Sequence, residues 1–264
     1  MKKQLNKLAR GISLALIATS LCAGIGLQSN KTKSNAAVKT TAKQDLVIAT
    51  MKDMSNFKWK PLNDVYFYGK KYAKNTIFRG VPYNQNYDDR KYDFAVKCGF
   101  KWDSSFGGYI YSSTNGNAGN DCSSAVAIAL RSVNSSIKYQ NISTDNFKNC
   151  TKNGSYSGEG LSLKTVGGYK TNSNYTDKYS LATATTYYKQ LKPGDVLLYR
   201  YNNGSLHKHV VLVVEVGDGY VKITDQIGLS YGDTNSSWRH ERKMTYQNLY
   251  DKHYLPIRES SVNP

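Results

Sequence analysis

Apolar residues change period along this 264-residue chain, and the changes divide it into readable parts. Between Gly119 and Val133, Val126, Ala129, Leu130 and Val133 recur at helical spacing, which predicts an amphipathic helix burying one stripe. The turn formers Asn117 to Asn120 precede it, and Asp121 is placed to cap its first turn. From Leu191 the period shortens. A Pro-Gly turn leads into Val196 to Tyr199 as a strand, and His209 heads the continuous apolar run VVLVVEV of a central strand covered on both faces. Gly217, Asp218 and Gly219 make a hairpin turn, Tyr220 to Thr224 returns beside that strand, and Tyr254 to Arg258 reads as a closing strand. Helices first and an antiparallel meander afterwards predict an α+β fold, with the helices packed to one side of the sheet.

The first half reads less sharply. Residues 38 to 57 are rich in Lys, Thr and Ala and suggest a linker. Residues 58 to 264 then form one domain, whose early part is expected to be helical because Val65, Tyr66, Tyr68 and Tyr72 fall near helical spacing within Asn63 to Asn75. Arg79 to Asn86 is a loop around Pro82, and Tyr87 to Asn120 a long aromatic surface segment. Leu163 to Tyr169 suggests a turn or short strand and Tyr179 to Gln190 a helix; the rest of 135 to 190 has no clear period.

Composition changes this picture at the N-terminus. Lys2, Lys3, Lys7 and Arg10 precede a short apolar run, Ile12 to Leu27, and Ser34, Asn35 and Ala36 offer a small-x-small cleavage site. Residues 1 to 37 therefore read as a secretory signal, too short and interrupted for stable membrane insertion. The formal charge of +17 stays strongly positive without the signal, which suits anionic wall polymers. The cations are scattered and no nucleic-acid motif accompanies them. Three cysteines remain: Cys98, Cys122 and Cys150. An odd number leaves at least one thiol free, with Cys98 and Cys150 either bridged or free.

Cys122 carries the candidate chemistry. Placed in a first helical turn, its sulfur meets unpaired amide hydrogens and the positive end of the helix dipole, both of which favour a thiolate. Such a nucleophile needs a base, and His209, fixed at the start of a strand, suits that role better than His207 in the preceding turn. The return strand brings Asp225 and Gln226 toward His209, and either can orient the ring. A competing arrangement makes His207, His209 and Asp225 metal ligands, which would leave Cys122 without a role.

In order, DCSSAV, LKPGDVLLY, HVVLVVEV and VKITDQ resemble the NlpC/P60 peptidases, and the related CHAP amidases almost as closely. The resemblance covers about Arg79 to Arg258 and implies a papain-like fold, an exported cysteine hydrolase of peptidoglycan stem peptides, and no cofactor. It implies Cys122 as nucleophile, His209 as base and Asp225 as orienting group, with Gln226 the alternative. GVPY at Gly80 to Tyr83 is similar to a family segment whose tyrosine lines the site. Tyr83, Asp121 and Ser123 are thus expected to bind substrate or support the site, and Tyr109 and Tyr111 are further candidate contacts. Three departures stand out: Ser124 where the family has glycine, a long Tyr83 to Cys122 spacing, and a third residue that is not histidine. A catalytically weak module binding the wall or a partner, and a thiol acyltransferase, are the competing functions.

Overall fold

The computed structural model describes residues 39–85, 99–114, 116, 118–171, 179–199 and 209–264. The expected secretory segment, Cys98, His207 and the turn expected at Asn202 to Ser205 lie outside them. The described chain is mixed α+β. Its first element is helix α1 (Ala42–Asn56), where the sequence suggested a linker. Thr41 and Gln44 form a capping box at its start, and Val47, Met51 and Met54 lie fully buried along one narrow stripe. The exposed Leu46 and half-buried Ile48 beside Val47 blur that stripe in the sequence, yet the three buried side chains suffice to pack α1 on the helix that carries Cys122.

Strand β1 (Lys58–Pro61) follows, then β2 (Val65–Phe67) and β3 (Lys70–Tyr72), a hairpin where a helix was expected. Tyr68 and Gly69 both take positive φ, 47° and 73°, the two-residue turn that matches strand twist. Val65, Phe67 and Tyr72 point inward while Tyr66 and Tyr68 are exposed, so the segment follows a period of two and not the helical 3.6. Strands β4 (Phe78–Arg79), β5 (Phe100–Asp103) and β6 (Gly108–Tyr111) join β1 in a four-stranded sheet, ordered β4-β1-β6-β5, that the sequence did not announce. Trp59 is its centre, fully buried among Phe67, Tyr72, Phe78 and Phe100 with ring centroids 5.2–5.8 Å away. Aromatic packing of this kind adds about 0.5–1.5 kcal/mol per pair beyond burial.

Helix α2 (Cys122–Arg131) leads to α3 (Thr144–Asn153), β7 (Ser155–Gly158), β8 (Leu161–Thr165) and α4 (Leu181–Tyr188). Strands β9 (Val196–Tyr199), β10 (His209–Gly217), β11 (Tyr220–Gln226) and β12 (Trp238–Thr245), the short helix α5 (Tyr246–Asp251) and β13 (Tyr254–Glu259) complete the chain. The seven-stranded sheet is antiparallel throughout, ordered β12-β11-β10-β9-β13-β8-β7. The apolar run after His209 is its buried core, with Val210 to Val213 wholly inaccessible, and α2 packs on β10 and β11.

Asn263, beyond β13, locks onto α1. Gln44 donates from Nε2 to Asn263 Oδ1 at 2.6 Å, and Asn263 Nδ2 reaches Pro193 O and Asp195 Oδ1 at 3.1 and 2.9 Å. Arg258 holds the same buried aspartate through Nε and Nη2, at 2.9 and 2.7 Å.

Candidate active site

Asp121 caps α2 as its sequence suggested. One carboxylate oxygen accepts from Ser124 N, Ser124 Oγ and Ser123 Oγ at 2.8, 2.8 and 2.9 Å. Ser124 Oγ accepts in return from Asp121 N at 2.9 Å. The serine found where the resemblance led us to expect glycine therefore closes the capping box. Ser123 is fully buried and its hydroxyl also reaches Ile142 O, 3.4 Å away, so it supports the turn and does not face a ligand. Cys122 is the first residue of the helix, 4% exposed, at the floor of a cleft of about 610 Å³.

The sheet supplies its partner. β10 and β11 pair Leu212 with Thr224, so continuing the register one step puts Asp225 across from Val211. His209, two residues away on the same face, is then the diagonal neighbour of Asp225. The side chains meet: His209 Nε2 lies 2.6 Å from Asp225 Oδ2, and the imidazole also hydrogen-bonds the Cys122 side chain. With Nε2 taken by the carboxylate, Nδ1 is the nitrogen presented to sulfur. Burial by itself would lower the His209 pKa, but the charge on Cys122 and the hydrogen bond to Asp225 outweigh it and raise it to about 9. An imidazolium at neutral pH is the partner that stabilises a thiolate.

Asp225 has no solvent exposure. Burial pushes its carboxyl upward, yet His209 and Arg239 prevail and hold it at about 2. Arg239 donates from Nε at 3.1 and 3.3 Å to the two oxygens and also from Nη2 to Oδ2. Gln226 is not an orienting group. Its Nε2 donates to Val81 O and Pro82 O at 2.8 and 3.1 Å, latching the Gly80 to Tyr83 segment beneath the cleft. Trp238 Nε1 and Ser237 Oγ add bonds to Val81 O of 2.9 and 3.0 Å. Gly80, at φ 78°, is required there: a Cβ would stand 2.1 Å from the Trp238 ring.

That latch sets Tyr83 into the cleft, bridged to Asn120 just before α2. Burial first, and then the charges of Cys122 and Asp121, hold its phenol far above the ordinary range, so it remains a hydrogen-bond donor. Tyr109 and Tyr111 do not reach the cleft: Tyr109 stacks on Phe57 at 4.5 Å and Tyr111 packs on Phe100 at 4.6 Å. Cys150 is a free thiol, fully buried, and burial next to Glu259 pushes it up to about 12. Among the described residues no three His, Cys, Asp or Glu side chains gather as metal ligands, and no helix is long and apolar enough to cross a membrane.

Sequence reasoning missed much of the wall, above all its cations Arg239, Arg242 and Lys252 and the tyrosines Tyr199, Tyr231 and Tyr254. β12 reads WRHERKMT, with no apolar alternation to mark it as a strand, and only its pairing with β11 sets Arg239 opposite Asp225. A second cleft of about 650 Å³, lined partly by Lys52, Arg79, Asp233 and His240, contains no cysteine. Compared with protein-family models, curated proteins and solved structures, the chain matches none.

Proposed function

We propose that this chain is a secreted, wall-associated cysteine hydrolase that cleaves an amide bond in peptidoglycan stem peptides, on a papain-like fold of the NlpC/P60 type. The observation that carries the reading is the line Cys122, His209, Asp225, in which a thiol at a helix start meets an imidazole held by a buried carboxylate. The Cys122 thiolate attacks the amide carbonyl carbon, forming the C–S bond and an oxyanion. The backbone amide of Cys122, in the first turn of α2, and the hydroxyl of Tyr83, on the cleft wall, are the donors we assign to that oxyanion. His209 delivers its proton to the leaving nitrogen as the C–N bond breaks. Water then attacks the acyl-enzyme, the imidazole takes its proton, and the thiolate is released. No cofactor takes part in these steps, and the basic surface favours association with anionic wall polymers.

The test is digestion of purified peptidoglycan by the secreted protein beside its Cys122→Ala variant, with fragments identified by mass. New peptide termini from the first and none from the variant are expected. If both proteins sediment with the wall and neither releases fragments, hydrolysis is the wrong reading and a wall-binding module replaces it.

A further inference from the structure

Arg239 and Arg242 are three residues apart on β12, and in a regular strand they would face opposite sides of the sheet. They do not. β12 pairs Arg242 with Ile223 and Arg239 with Asp225, so three steps on β12 match two on β11, and the strand carries a bulge. Glu241 takes up the extra residue at φ 41°, a conformation costly for a residue with a side chain, and its amide is held by Thr224 Oγ1 at 3.1 Å. Its own carboxylate pairs with Lys52 at 2.9 Å. The consequence of this local strain is that both arginines line the cleft of Cys122 and His209.

The two are unequally occupied. Arg239 is committed to Asp225, whereas Arg242 Nη2 stands 3.6 Å from Asp225 Oδ1, and its Nε and Nη2 have no hydrogen-bond acceptor. Lys252, just past α5, adds a third cation to the wall. Among the described residues lining the cleft there is no carboxylate, and Asp225 beneath it is already shared by His209 and Arg239. Positive charge is therefore in excess beside the thiol. We propose that Arg242 and Lys252 form a carboxylate subsite, selecting substrates that carry a free acid group a few bonds from the scissile amide. Arg242 already meets the Tyr254 hydroxyl, and a carboxylate, which matches the planar guanidinium fork, supplies an acceptor for the Nε and Nη2 left over. The inference deepens, and rests on, the reading of Cys122 as nucleophile.

A pair of thiol reagents tests it without a known substrate: maleimides bearing a propionate or a neutral propionamide tail, with label on Cys122 quantified by peptide mass. The expected result is about fivefold faster labelling by the propionate at low salt, shrinking in 0.5 M salt. In the variant combining Arg242→Gln with Lys252→Gln the ratio should fall to near one, while Arg242→Lys keeps most of it. Equal rates in the unmodified protein, or an unchanged ratio in the double variant, overturn the subsite. Failure of Cys122 to react with either reagent removes the nucleophile reading and the subsite with it, whereas reaction without preference removes the subsite alone.

Discussion

Among the described residues two aspartates are fully buried against an arginine, Asp225 with Arg239 and Asp195 with Arg258, and they are put to different uses. Asp195 meets only groups that keep their protonation state: the Arg258 fork, Lys192 N at 2.8 Å and Asn263 Nδ2. Burial outweighs these partners and its carboxyl is raised. Asp225 adds a titratable partner, His209, which opens on the cleft, and its carboxyl is lowered to about 2. A buried ion pair thus becomes a chemical device when one of its partners can exchange a proton at a cleft; otherwise it is a joint.

Substitutions at the two sites should separate rate from stability. The largest effect belongs to Asp225→Asn, which keeps the shape and removes the anion behind the imidazolium. On the proposed wall substrate, kcat/KM should fall about 10³- to 10⁴-fold, and the alkaline limb of its pH profile, expected near pH 9, should move toward neutrality. A limb that stays in place would show that the carboxylate does not set the imidazole. Next comes Arg258→Ala, which leaves Asp195 charged and buried without its cation. A stability loss of about 3–5 kcal/mol is expected in urea denaturation, with the rate of Cys122 alkylation unchanged in the folded fraction. A loss below about 1 kcal/mol would mean that Asn263 and the backbone amide suffice for Asp195.

The smallest effect is in acid, and its sign differs between the sites. The folded pKa of Asp225 lies below its unfolded value, so it contributes stability that is full above about pH 4 and lost toward pH 2, on the order of 2 kcal/mol. Asp195 is raised, so its native state binds the proton more readily and stability falls as pH climbs through the carboxylate range. Urea midpoints between pH 2 and 6 should therefore show a weaker acid limb in Asp225→Asn and a steeper one in Asp195→Asn. Matching limbs in the two variants would erase the distinction.

What sequence reveals follows the same division. Cys122, its cap Asp121, His209 and Asp225 sit on elements whose period or turn is local: a four-position helical stripe, an unbroken apolar strand and a Gly-Asp-Gly hairpin. Their meeting could be reasoned from one hairpin. Arg239 and Arg242 depend on the register of a polar strand and on a bulge that no neighbour in sequence marks. Gln226 is the alternative to Asp225 in sequence because both stand at the strand end, yet adjacent strand residues face opposite ways, and Gln226 turns toward Val81. The β2-β3 hairpin was hidden because Val65 and Tyr72, seven apart, satisfy a helix as readily as two strands around a tight turn.

The hydrogen bond between Gln44 and Asn263 spans 219 residues. A polypeptide leaving a ribosome or an export channel N-terminus first presents α1 long before the acceptor for Gln44. Asn263 also completes the shell of Asp195, so a nascent chain stopped short of it has two buried polar groups waiting on one residue. Closure of such non-local contacts is the slow part of folding. The nucleophile helix rests on α1, so part of its support comes from a residue made 219 positions after Gln44.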